Sequence, residues 1–265
     1  MSAVERPTPR QRTRHLVVLA AAVFAVVVPV VQNLGGFGLS QAEFAADGDR
    51  TLQVAGYAFS IWGLIYLGLL AYAVRQVLPQ TGESVLINRM GWPSAVAMFG
   101  IGMWIVAAAL NLKAASVVII FASLLALLVP LLVNARTIRA TGVADRDRWF
   151  LIWPLAALAG WLTIAAPLNL ITTATALNAL PALVSPTGWA IIAIAVVVLV
   201  AIEVTLYLRT LFYALPIAWG LVGAFVAEQE RNPMLGFTAL GAAFLLVVAA
   251  VILVFGLKRG IERRR

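Results

Sequence analysis

Cysteine is absent from the 265 residues, and histidine occurs once, as His15. No disulfide, thiolate metal site or cysteine nucleophile can form. One histidine in a basic tail cannot build a His-based metal site or a Ser-His-Asp triad. Charge is also scarce. Asp, Glu, Lys and Arg make up 11% of the chain, against about 25% in soluble domains. Apolar residues take their place: 63% of the chain is hydrophobic and the mean hydropathy is +0.99. Water cannot solvate such a surface, so the surrounding solvent has to be lipid.

A helix crosses the hydrocarbon core with about 20 apolar residues, and its backbone must satisfy its own hydrogen bonds there. Eight runs qualify: Leu16–Leu34, Gly56–Val77, Gly91–Leu112, Ala115–Ala135, Phe150–Ile171, Trp189–Leu208, Leu211–Val226 and Leu235–Leu257. The fold expected is an all-α membrane protein with about eight transmembrane helices. Only Arg209 and Thr210 part the sixth run from the seventh.

Charge placement tests this count. With the N-terminus cytoplasmic, only Arg50, Lys113 and Arg231 of the 19 Lys and Arg fall in outside segments. That asymmetry is how a multi-pass protein fixes its orientation. Joining runs six and seven would carry the basic tail 258–265 to the other side and spoil the pattern. Both termini therefore read as cytoplasmic. The net charge of +8 belongs to this arrangement, which argues against a nucleic-acid partner and for the bilayer as the partner. The apolar run Leu16–Val31 exceeds a usual signal-peptide core and no small-x-small site follows it, so the first helix is expected to stay uncleaved.

The long outside loop Gly35–Val54 carries Glu43, Asp47 and Asp49, while Thr172–Gly188 has no charge and holds Pro181 and Pro186. The second run places Phe59, Trp62 and Tyr66 on one helical face. Two readings stand. The three form an aromatic belt at the interface, or one wall of a flat apolar pocket with the Trp N–H and Tyr O–H orienting a ligand. In the fifth run Trp161, Ala165 and Asn169 share a face. Asn169 either bonds a neighbouring helix or joins Trp62 in the same pocket.

These residues carry a resemblance. Phe59, Trp62 and Tyr66 match F-x-x-W-x-x-x-Y, and Trp161, Ala165, Leu168 and Asn169 match W-x-x-x-A-x-x-L-N, with Leu110–Asn111 closing the third run. Together they resemble the TspO/MBR family of tryptophan-rich sensory proteins, in a longer bacterial branch with extra C-terminal helices. The chain departs from the family in lacking a Trp soon after Leu110–Asn111, in placing Pro154 seven residues before Trp161, and in having no proline between Gly35 and Gly56. The resemblance implies a five-helix core over residues 16–178, three further helices over 179–257, and basic tails at 1–15 and 258–265. It also implies a bacterial-type inner membrane location, a homodimer as an assembly open to the chain, and a sensory or regulatory role. The ligand implied is a porphyrin or haem-type molecule, held by Phe59, Trp62, Tyr66, Asn111, Trp161, Ala165 and Asn169, with no cofactor required.

Glu203 is the one carboxylate inside a run. Such residues default to function or snorkel to the interface. It supports an alternative, a small secondary transporter coupled to a proton or cation through Glu203. Phe212, Tyr213, Pro216 and Trp219 read as bundle packing, and Trp149, Trp153 and Trp189 as belt residues. Nothing in the sequence supplies a metal cluster or an activated nucleophile, so an enzyme within the membrane is the least supported reading.

Overall fold

In lipid a backbone has to bond to itself, and α-helices do this within one segment. The computed structural model, which describes residues 8–46, 51–78 and 84–256, is helical accordingly, with no strand among the described residues. Eight helices are long and apolar enough to span a membrane: α1 Pro9–Gly35, α2 Gly56–Val77, α3 Val85–Ala109, α4 Lys113–Val133, α5 Arg148–Ala176, α6 Pro186–Leu208, α7 Leu211–Glu228 and α8 Pro233–Gly256. The tail 258–265, together with Asp47, Asp49 and Arg50, lies outside the described residues.

Their ends follow local chemistry. Thr8 and Gln11 form a capping box at α1, and Gly36 ends that helix in the left-handed conformation at φ 62°. Ser84, Ser185, Thr210 and Asn232 cap α3, α6, α7 and α8 through side-chain oxygens. Two residues are enough to part α6 from α7. Arg209 turns left-handed at φ 51° and Thr210 caps the next helix. Helix α5 opens in a π turn, Arg148–Ile152, where the Trp153 N–H reaches back to the Arg148 carbonyl, just ahead of Pro154, which has no N–H to give.

Helix α1 packs on α2 and α3, α3 on α4, and α4 on α5. Helix α5 then meets α2 on one side and α6 and α7 on the other, and α8 covers α6 and α7. So α5 belongs to both halves of the molecule, and its span is 61% buried against 28% for α8. Gly160 allows the closest approach between the halves: a Cβ there would lie 2.0 Å from the Tyr213 carbonyl oxygen. The Tyr213 hydroxyl pairs with Thr163 at 2.8 Å, and Phe212 stacks on Trp153 with ring centroids 4.3 Å apart.

At the end of the bundle where α1 begins, several charged side chains meet polar partners, most of them buried. Arg75 pairs with Asp147, Arg14 donates to Asn88 at 2.6 Å, and Arg89 donates to Asn134 at 2.9 Å. Arg148 donates to the carbonyls of Ile138 and Thr141. We call this the basic end. The segment between α1 and α2 crosses the opposite, lid end.

A candidate ligand-binding site under the lid

Helix α2 begins with a 3₁₀ turn, Gly56–Ser60, before settling into α geometry. That turn aims Phe59 and Trp62 toward α5. Trp62 meets Trp161 edge-on at 6.1 Å, Phe59 meets Trp161 edge-on at 6.4 Å, and Trp62 stacks on Tyr66 at 5.2 Å. These are favourable aromatic geometries. Trp62 and Trp161 are 6% and 4% exposed, so their rings turn inward and do not form a belt against lipid.

Around them lies an apolar cavity. Helix α5 contributes Trp161, Ile164, Ala165, Leu168, Asn169 and Thr172; α3 gives Trp104, α4 Ile120 and α7 Gly220. The lid closes it with Gln41, Phe44, Ala45 and Val54. About 570 Å³ of non-atom space lies between these residues, but the centre of a water-sized sphere reaches only about 40 Å³ of it. In this conformation the site holds room for water, not for a macrocycle. Beside it, between α1, the lid and α2, lies an open groove lined by Pro29, Asn33, Gln41, Phe59, Trp62 and Tyr66 among others, with about 490 Å³ of room. Phe59, Trp62 and Gln41 line both spaces and so form the partition between them.

The lid is a built element. Ser40 and Glu43 form a capping box around the short helix Gln41–Ala46: the Glu43 carboxylate accepts from the Ser40 N–H at 2.7 Å, and the Ser40 hydroxyl oxygen accepts from the Glu43 N–H at 3.2 Å. Those bonds hold the Glu43 carboxyl below its ordinary pKa. Phe44 descends from this helix onto Trp104, edge-on at 6.1 Å, with the Lys113 ammonium 5.4 Å from its ring centroid. Further along, Thr51 pairs with Thr175 at 2.7 Å. Helix α7 then fixes the segment three times. The buried Glu228 accepts from the Gln53 N–H at 2.6 Å, the Gly223 carbonyl accepts from the Ala55 N–H at 3.1 Å, and the Trp219 indole donates to the Ala58 carbonyl at 2.8 Å. Glu228 is itself paired with Arg231.

Most polar groups of the site are neutral. Asn169 donates to the Ser116 hydroxyl at 3.0 Å, so its amide also ties α5 to α4. Four other buried atoms lining the cavity or its groove have no hydrogen-bond partner among the described residues: the indole nitrogens of Trp62 and Trp104, the Tyr66 hydroxyl and the Gln41 side-chain carbonyl oxygen. A buried polar group left unmatched costs roughly 1–3 kcal/mol. Among the described residues no group of three or more His, Asp or Glu could hold a metal ion.

Of the residues singled out by sequence, Phe59, Trp62, Trp161, Ala165 and Asn169 come together around the cavity, and Tyr66 lines the adjoining groove. Asn111 does not line either space. It is exposed in the turn between α3 and α4, left-handed at φ 55°, and accepts from Lys113 at 2.9 Å. Glu203 lies on the exposed face of α6, away from the cavity lining. The exposed Trp149 and the half-buried Trp189 bond the Val143 and Pro181 carbonyls. Trp104, Phe44, Gln41 and Gly220 complete the site without having been singled out. The spacing of Ser40 and Glu43 is a legible capping signal and would have revealed the lid helix. Gly220 has no signal, because its role depends on how α7 packs.

No curated protein and no solved structure matches the chain. A family model described as TSPO-like protein matches residues 15–252, well beyond the five-helix segment that carries the motifs and into α8. By that match, which spans both the aromatic cavity and the helices that latch its lid, the chain belongs to the TSPO-like protein family.

Proposed function

We propose that this TSPO-like membrane protein is a ligand-binding regulator that takes a flat apolar molecule bearing carbonyl or carboxylate oxygens, a porphyrin among them, beneath its lid. The observation that carries this reading is the set of unmatched buried donors. The indole N–H groups of Trp62 and Trp104 and the Tyr66 O–H stand beside aromatic walls. An acceptor oxygen on a ring-shaped ligand would satisfy donors that the protein leaves unpaired. Phe59 and Trp62 swing toward the groove to admit the ring, merging the two spaces they now divide. The Lys and Arg distribution supports a basic end facing the cytoplasm of a bacterial-type cell, with the lid on the far side. The exposed position of Glu203 lends no support to a transporter that would couple through it.

Titration of the detergent-purified protein with protoporphyrin, followed by tryptophan quenching, tests this reading. Saturable quenching is expected. Replacing both indole donors, as Trp62→Phe with Trp104→Phe, should weaken binding about tenfold, the scale of one or two lost hydrogen bonds. Quenching that never saturates, or that ignores the double variant, overturns it.

A further inference from the structure

The cavity does not stop at α5. Val54, Ile164, Leu168 and Gly220 line it and also line a second, narrower space between α5, α6 and α7. This seam continues past Pro167 toward Ile194 and Val197. No charged or hydrogen-bonding side chain lines it. Its non-atom space is about 350 Å³, yet the centre of a water-sized sphere reaches only about 20 Å³. It is therefore narrower than the aromatic cavity and has no room for a ring. Gly220 stands at the junction. A Cβ there would lie 2.9 Å from Ile164 Cδ1 and 3.4 Å from Trp161 Cζ3, projecting between the two spaces.

We propose that the seam receives an aliphatic tail of the same ligand whose ring sits among Phe59, Trp62 and Trp161. This rests on the ring-binding reading above and narrows its ligand class to a flat ring carrying a linear isoprenoid or fatty chain. The gain comes from packing. Lipid is as apolar as the seam, so moving the tail out of the bilayer brings little hydrophobic benefit. A void too small for a ring loses the dispersion contacts of its lining atoms, and a single chain restores them. On this view α6 and α7 extend a five-helix pocket into a selective one, and their presence decides which ring-bearing molecules bind.

The test compares a chlorin acid, pheophorbide, with its phytyl ester on full-length protein in one detergent, by tryptophan quenching. Partition into micelles is common to every variant, so the ratio of the two affinities is compared between variants. Ala224→Leu, which fills the seam from α7 without lining the aromatic cavity, should cut the wild-type preference for the ester about fivefold, the scale of a void holding one or two methylenes, and leave pheophorbide binding within about twofold. Ala193→Phe intrudes on the seam from the partly exposed side of α6 and should do the same if Ala224→Leu fails to fold. Saturable pheophorbide binding with an ester ratio unmoved by either variant overturns the tail site and leaves the ring site standing. Failure of both molecules to bind the wild type removes the two together.

Discussion

The two ends of this bundle treat polar groups in opposite ways. At the basic end charged side chains go deep and meet polar partners, Arg75 with Asp147, Arg14 with Asn88 and Arg148 with two carbonyls, while the Gln76 amide and the Nε of Arg148 and of Arg209 have none among the described residues. At the lid end the buried polar groups around the cavity are neutral, and several have no protein partner. A matched polar network fixes one packing of the helices. An unmatched one is a standing cost that a bound molecule can remove. On the proposed reading the basic end serves the fold and the lid end serves a ligand.

The largest effect should come from breaking a match. Asp147→Ala removes the carboxylate that pairs with the buried Arg75 guanidinium, and breaking a buried ion pair costs about 3–5 kcal/mol. Thermal unfolding in detergent should show a large loss of stability, while the folded fraction keeps its ligand affinity. A variant as stable as the wild type would show that the basic end does not hold the fold.

A sharper comparison uses one substitution at two places on one helix. Tyr72 is fully buried and its hydroxyl pairs with Ser94 at 2.8 Å. Tyr66 lies less than two turns earlier, and its buried hydroxyl has no partner among the described residues. Tyr72→Phe should lower stability by about 1 kcal/mol, as the loss of a net hydrogen bond does. Tyr66→Phe should leave it unchanged or raise it by up to about 1 kcal/mol, since an unmatched group disappears. Chemical or thermal denaturation of both variants in the same detergent decides the matter. Equal losses would mean that the two ends do not differ.

The same contrast explains what could be read in advance. Eight spans and their order were legible, because apolar length and the Lys and Arg asymmetry act residue by residue. Even the division at Arg209 and Thr210 followed from two adjacent positions. Phe59 with Trp62, and Trp161 with Asn169, were legible as faces, since helical spacing determines which side chains share a side. That both faces meet in one hollow is a tertiary fact. Asn111 shows the limit: the family resemblance through Leu110–Asn111 implied a site residue, but it serves a left-handed turn outside the cavity. Gly220 and Glu228 show the complement. One matters because it lacks a side chain where α7 meets α5, and the other because a backbone N–H 175 residues away bonds to it. Neither relation leaves a trace in local pattern.

The smallest effect concerns the lid itself and depends on pH. The Glu43 carboxyl is held below its ordinary pKa by the Ser40 N–H and hydroxyl. A carboxylate whose folded pKa is depressed contributes stability above its unfolded pKa and loses it as pH falls through the folded value. The helix Gln41–Ala46 should therefore stay protected at neutral pH and loosen in acid, below the ordinary carboxylate range. Amide exchange across 41–46, corrected for its intrinsic pH dependence, reads this directly. Glu43→Gln keeps an oxygen able to accept from the Ser40 N–H but cannot titrate, so it should flatten the profile while retaining most of the protection. Since Glu43 is fully exposed to solvent, salt and water weaken the contact, and the rest of the bundle should not respond. An acid-dependent loosening that persists in Glu43→Gln would place the sensitive group elsewhere in the lid. If it spread to the basic end, the two ends would be coupled and the division between a folding end and a binding end would fail.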